Sequence, residues 1–145
     1  MPAAKKKQKE DDQGPTILQG VYMFPNGDKY DGEYMMSPGG SLERSGTGKH
    51  ITSDGTVYTG QWVEDKMHGQ GKIIFPSGAT YEGIFVNNQF QGRGKYVFPN
   101  GSFYDGEFNE NKLEGDGNFT DTESQIWSGT FRYKAAPGLR FKLNL

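Results

Sequence analysis

The chain has 145 residues, a formal net charge of −2 and no cysteine. That length accommodates one ordinary domain or one short array. The missing thiols exclude disulfides, thiolate metal sites and cysteine nucleophiles. The acidic balance argues against a general nucleic-acid binder, which usually carries a basic stripe.

Hydrophobic residues reach only 32%, while glycines number 22 and aromatics make up 14%. This is too little apolar material for a thick two-layer core, so a thin fold is expected, packed largely by rings that can each bury about 150–250 Å². No apolar run approaches the roughly 20 residues of a membrane span, and Lys5-Lys6-Lys7 leads into no hydrophobic segment. The expectation is a soluble, cytoplasmic chain.

Residues 1–14 carry Lys5, Lys6, Lys7 and Lys9, then Glu10, Asp11 and Asp12, without periodicity, and read as a disordered charged tail. A repeat array is expected over 15–134. It opens with a half-unit at 18–27, Gly20-Val21-Tyr22-Met23-Phe24-Pro25-Asn26-Gly27, of the atypical kind that caps an array.

Full units begin at Tyr30, Tyr58, Tyr81 and Tyr104, with a partial one at Trp127; the first step is 28 residues and the next three are 23. Each unit has Tyr-x-Gly-x-aromatic, a polar link, Gly-x-Gly, a β-prone run and a turn such as Pro99-Asn100-Gly101. The link holds 11 residues in the first unit, Met35 to Ser45, against 6 at Val63 to His68 and at Val86 to Gln91. The insertion, which contains Ser37-Pro38-Gly39-Gly40-Ser41, is expected to protrude as a flexible loop, because closure entropy rises only slowly with length.

In the fourth unit the turn has decayed to Asp121-Thr122-Glu123-Ser124. The fifth, Trp127-Ser128-Gly129-Thr130-Phe131, reaches no Gly-x-Gly. Leu139, Phe141, Leu143 and Leu145 then alternate with polar residues, so 135–145 reads as a strand that caps the array or docks a partner.

Asn-Gly and Asp-Gly dipeptides between β-prone runs are hairpin signals, and Pro25, Pro76 and Pro99 each sit just before a turn, where a missing donor does least harm. The fold expected is all-β: an elongated, twisted, single-layer antiparallel meander of stacked β-hairpins. Alternation along each strand puts Tyr81, Gly83 and Phe85 on one face and Glu82 and Ile84 on the other. Glycines between the rings let the sheet curl towards the ring face and let the rings lie flat.

The expected trough is lined by Tyr30, Tyr34, Tyr58, Trp62, Phe75, Tyr81, Phe85, Tyr96, Phe98, Tyr104 and Phe108. A one-layer sheet has no second layer over its apolar face, so either the rings fill the trough themselves or a partner segment lies in it. A helix or an extended segment of a protein would suit such a groove.

Tyr-x-Gly-x-aromatic followed by Gly-x-Gly, recurring every 23 residues, closely resembles the MORN repeat family (membrane occupation and recognition nexus), over about Leu18 to Phe131. The resemblance implies an elongated sheet of stacked hairpins without catalytic activity. Members of that family act as scaffolds that link cytoskeleton, cilia and membranes, and several take a partner helix in the aromatic trough. Some are associated with spermatid differentiation and the acrosome, others with axonemes. The resemblance therefore implies a cilium, flagellum or acrosomal vesicle surface as the place of action.

Competing chemistry is weak. Gly46-Thr47-Gly48-Lys49, Gly69-Gln70-Gly71-Lys72 and Gly92-Arg93-Gly94-Lys95 lack the spacing, the following Ser or Thr and the helix of a phosphate loop. His50 and His68 are the only histidines and sit in no ligand cluster; His50 is expected on the trough face and His68 in a link. Asp31 with Glu33, and Asp105 with Glu107, are carboxylate pairs expected on the exposed polar face, which does not supply the burial that a catalytic pair needs. No cofactor, metal, nucleic acid or small-molecule substrate is expected. The main alternative to a protein adaptor is a peripheral binder of acidic phospholipid, resting on Lys49, Lys72, Arg93 and Lys95, although Glu33, Glu82 and Glu107 interleave with them.

Overall fold

The computed structural model describes residues 16–132. The charged tail at 1–14 and the segment 135–145 lie outside the described residues. Within them the chain forms β1 (Leu18–Met23), β2 (Lys29–Met36), β3 (Leu42–Ile51), β4 (Val57–Val63), β5 (Lys66–Ile74), β6 (Thr80–Val86), β7 (Gln89–Val97), β8 (Phe103–Asn109), β9 (Lys112–Thr120) and β10 (Ile126–Phe131). They form one sheet in sequence order, each strand antiparallel to the next, and the sheet does not close on itself. The expected all-β meander is what the chain forms.

Two turn chemistries alternate. The longer turn is seen at Phe24-Pro25-Asn26-Gly27-Asp28, where Phe24 N donates to the Asp28 carbonyl at 2.9 Å and Gly27 N to the Phe24 carbonyl at 3.0 Å. This is a three-residue hairpin connection with proline at its second position and glycine in the left-handed region (φ 97°). It recurs at Phe75 to Ala79 and at Phe98 to Ser102. The decayed turn keeps the same bonds, Asp121 N to the Gln125 carbonyl and Ser124 N to the Asp121 carbonyl, with Ser124 at φ 64° in the glycine position.

The second chemistry corrects the sequence reading. The six-residue links shrink to two residues, Glu64-Asp65, Asn87-Asn88 and Glu110-Asn111, all with positive φ between 50° and 72°. Two consecutive left-handed residues form the primed turn whose twist matches its flanking strands. The strands therefore run on into the polar stretches, and His68 belongs to β5 rather than to a link.

The long first link also differs from expectation. It is not a loop but a longer hairpin: Tyr34, Met35 and Met36 pair with Arg44, Glu43 and Leu42. Ser37 to Ser41 closes it with the longer turn, Ser37 N donating to the Ser41 carbonyl at 2.7 Å. The extension persists because its residues find cross-strand partners, so its backbone donors are satisfied in a ladder rather than by water.

Register also explains the glycines. Gly20, Gly32, Gly48, Gly60, Gly71, Gly83, Gly94, Gly106, Gly117 and Gly129 pair in succession, one on each strand, and form a single row across the sheet. A tyrosine ring lies along this row in each full unit.

Candidate partner-binding face

Tyr81 shows how a unit builds the face. Its ring lies over the paired Gly83 and Gly94; a Cβ on Gly83 would come 2.5 Å from Gly94 Cα, and one on Gly94 would meet the Tyr81 ring itself. The phenol Oη then donates to the Ile84 carbonyl at 2.8 Å. Tyr30, Tyr58 and Tyr104 make the same bond to the third residue on, Glu33, Gln61 and Glu107, at 2.6, 2.9 and 2.9 Å. Each unit thus anchors one ring flat on the backbone and hides its hydroxyl. Burial pushes all four phenols up to about 12.

In the units that begin at Tyr58, Tyr81 and Tyr104 the second aromatic stands edge-on to two tyrosines. Phe85 meets Tyr58 at 5.0 Å and Tyr81 at 5.1 Å, with interplanar angles of 83° and 88°. Phe108 meets Tyr81 and Tyr104 in the same way, and Trp62 meets Tyr30 and Tyr58. These are favourable edge-to-face contacts, worth about 0.5–1.5 kcal/mol each beyond the area they bury.

The eleven trough residues expected from sequence separate into two sets. Tyr30, Tyr58, Trp62, Tyr81, Phe85, Phe98, Tyr104 and Phe108 are buried against one another, so for them the rings are the core. Tyr34, Phe75 and Tyr96 are only partly buried and pack against that core. Sequence reasoning missed Met67, Phe90, Leu113, Phe119 and Phe131. Met67, Phe90 and Leu113 each stand two residues after a primed turn, at stretches read as links. The signal available was the Glu-Asp, Asn-Asn or Glu-Asn pair that permits a two-residue turn.

Phe90 organises the exposed remainder. It stacks on Tyr81 with ring centres 3.9 Å apart and planes within 10°. It also lies 6.5 Å from Phe75 and 6.1 Å from Tyr96, and Phe75 and Tyr96 are 6.4 Å apart. Phe75, Phe90 and Tyr96 form a contiguous half-buried patch near the middle of the array.

The first unit departs from this plan. At the positions of Met67 and Phe90 it has Arg44, and at those of Ile73 and Tyr96 it has His50. Arg44 Nε lies 2.6 Å from Asp65 Oδ1, its guanidinium sits 4.3 Å from the Trp62 ring centre, and Nη1 lies 3.1 Å from His50 Nδ1. A guanidinium only donates, so Nδ1 accepts and Nε2 carries the ring proton, directed at Asp28 Oδ2 3.0 Å away. The bond from His50 holds the Asp28 carboxyl below its ordinary range. At Asp65 burial pushes upward, but the hydrogen bonds and charge of Arg44 outweigh it and the net shift is downward. Among the described residues no group of three or more His, Cys, Asp or Glu could hold a metal ion.

The MORN repeat model matches residues 19–29, 58–80, 81–103 and 104–122. The unmatched stretch between the first two segments is the unit with the extended hairpin and the Arg44–His50 pair. Among solved structures, the chain is similar to the TCP domain of SAS-4 (dCPAP) from Drosophila melanogaster, in complex with a proline-rich motif of Ana2 (dSTIL), at 17% identity, covering 80% of this chain and 90% of that one with a TM-score of 0.33. It is also similar to virginiamycin B lyase from Staphylococcus aureus, at 16% identity, covering 81% of this chain and 41% of that one with a TM-score of 0.20. No curated protein is similar enough to the chain to count as a match. The repeat model covers more than half of the sequence, and three of its four matches begin at the anchoring tyrosines Tyr58, Tyr81 and Tyr104, so the chain belongs to the MORN repeat family.

Proposed function

We propose that the chain is a non-catalytic scaffold whose ring face takes a helical or extended segment of a protein partner. One observation carries this reading. The Phe75–Phe90–Tyr96 patch rests on a fully buried ring layer, and among the described residues no second layer covers it. A contiguous apolar patch on a one-layer sheet is the kind of surface that a partner segment buries.

The same reading places the protein in the cytoplasm, at a cilium or axoneme, or at the acrosomal vesicle during spermatid differentiation, as the family resemblance implies. The resemblance of Glu114-Gly115-Asp116-Gly117, Trp127-Ser128-Gly129 and Ala135-Ala136-Pro137 to MORN repeat-containing protein 2 supports the spermatid setting. Acidic phospholipid is the weaker alternative. On the face opposite the rings, Lys72 and Lys95 both stand directly across from Glu82, and Lys95 also stands across from Asp105. A row neutralised in this way attracts an anionic surface little.

The test is capture of partners from a ciliated or spermatogenic extract by wild type and by Phe75→Ser with Tyr96→Ser. Loss of a specific partner with an unchanged circular dichroism spectrum is expected. Retention of every partner by the folded double variant would sink the proposal. Trp62 and Phe85 are unsuitable for this purpose, because both are core.

A further inference from the structure

The face opposite the rings is not uniformly polar. Register aligns one residue per strand into transverse rows, and the row nearest the longer turns is largely apolar, with Ile51, Val57, Ile74, Val97, Phe103 and Ile126 in it. Ile74 is 41% and Ile126 66% exposed. Beside it runs a charged row, Asp31, Lys49, Lys72, Glu82, Lys95 and Asp105.

We propose that this face joins two copies of the chain, sheet on sheet, about a two-fold axis that runs along the strands between β5 and β6. Such an axis lays β5 on β6, β4 on β7 and β3 on β8 of the second copy. The apolar row then meets itself, Ile51 against Phe103 and Val57 against Val97. The charged row meets opposite signs: Lys49 faces Asp105 and Lys72 faces Glu82, each twice by symmetry. Asp31 and Lys95 face the neutral Asn118 and Thr59.

Charge selects this registration. Sliding one copy by a single strand sets Lys49 against Lys95 in one direction and Lys72 against Lys95 in the other. The unfavourable pair is Glu33 with Asp116 of the second copy, near an outer corner. Aligned sheets cross at about 30°, which draws such corners apart.

Laid flat, ten strands about 4.8 Å apart, each contributing about 20 Å of length, offer at most roughly 900 Å² per copy, of the order of the roughly 800 Å² per partner of a standard stable interface. Both ring faces point outward in this arrangement, so the pair would present two partner sites and gain from multivalent engagement.

Sedimentation velocity over a concentration series tests the proposal on the full chain. Wild type is expected to dimerise and Ile74→Asp, beside the axis, to be monomeric with an unchanged circular dichroism spectrum. Lys49→Glu and Asp105→Lys should each weaken association by about tenfold or more alone, because each sets like charges together twice. Mixing those two variants should restore the dimer, since every 49–105 contact between them is again of opposite sign. A wild type that stays monomeric overturns the proposal and leaves the row free for another protein. A dimer that survives all three substitutions, or variants that fail to recover on mixing, overturns it in favour of another surface such as a sheet edge.

Discussion

At the scale of single residues, two kinds of glycine do different work and should respond differently to alanine. Gly83 faces backbone: an added Cβ would meet Gly94 Cα at 2.5 Å and the Arg93 carbonyl at 2.7 Å, and neither can swing away. Gly101 sits in an open turn with nothing within 4 Å, and its demand is a φ of 94°. Gly101→Ala is therefore expected to cost about 1–2 kcal/mol, the usual penalty for a left-handed alanine. Gly83→Ala should cost more than about 3 kcal/mol, because the strands must separate and Tyr81 must lift from its seat. Urea denaturation of the two variants checks the order, and equal costs would refute the seat. The role of Gly83 and Gly94 as gaps for flat rings was legible in the sequence. That they face one another in a single row was not, since it depends on register between strands.

At the scale of the hairpin unit, the primed turns also join neighbouring units. Asn88 N donates to the Met67 carbonyl at 3.0 Å, and Met67 N donates back to Asn88 Oδ1 at 2.8 Å. Asn111 makes the same reciprocal pair with Phe90, and Asp65 with Arg44. One residue thus satisfies a donor and an acceptor of the preceding unit while holding a positive φ that asparagine tolerates better than most. Asn88→Ala removes the side-chain acceptor and keeps the strained φ, with an expected loss of about 1–3 kcal/mol. Asn88→Asp should lose far less, because Asp65 already fills this role. Chemical denaturation separates the two outcomes. This clamp was hidden from the sequence for the same reason as Met67, Phe90 and Leu113. Reading Val63–His68 and Val86–Gln91 as links stopped the alternation of faces where the strands in fact continue. The Arg44–His50–Asp28 chain was hidden differently, because Arg44 and His50 lie six residues apart on β3 and meet Asp28 in the turn before β2, which only the register of the strands shows.

At the scale of the whole array, one phenol per unit donates to a carbonyl from a site closed to water, and that repetition has a collective consequence. Burial pushes Tyr30, Tyr58, Tyr81 and Tyr104 up to about 12, against 10 when exposed. A group whose folded pKa is raised lends its full stability below the unfolded value, and this is lost as pH climbs through the folded one. Between about pH 10 and pH 12 the unfolded chain releases four protons that the folded chain retains, so unfolding becomes easier by roughly 1.4 kcal/mol per tyrosine per pH unit. Summed over four tyrosines the loss amounts to several kcal/mol, a substantial part of the roughly 5–15 kcal/mol stability of a typical domain. The array should therefore unfold cooperatively in alkali before its buried phenols ionise in place. Circular dichroism and phenolate absorbance, followed together from pH 9 upward, should change in a single transition for these four rings. Tyr81→Phe should lower stability at neutral pH by about 1 kcal/mol, the worth of its lost hydrogen bond, yet make the alkaline fall less steep by one proton's share. A gradual rise in phenolate absorbance with the sheet intact would show instead that the rings reach solvent singly, and the flat seat on the glycine row would then be wrong as the anchor of the fold.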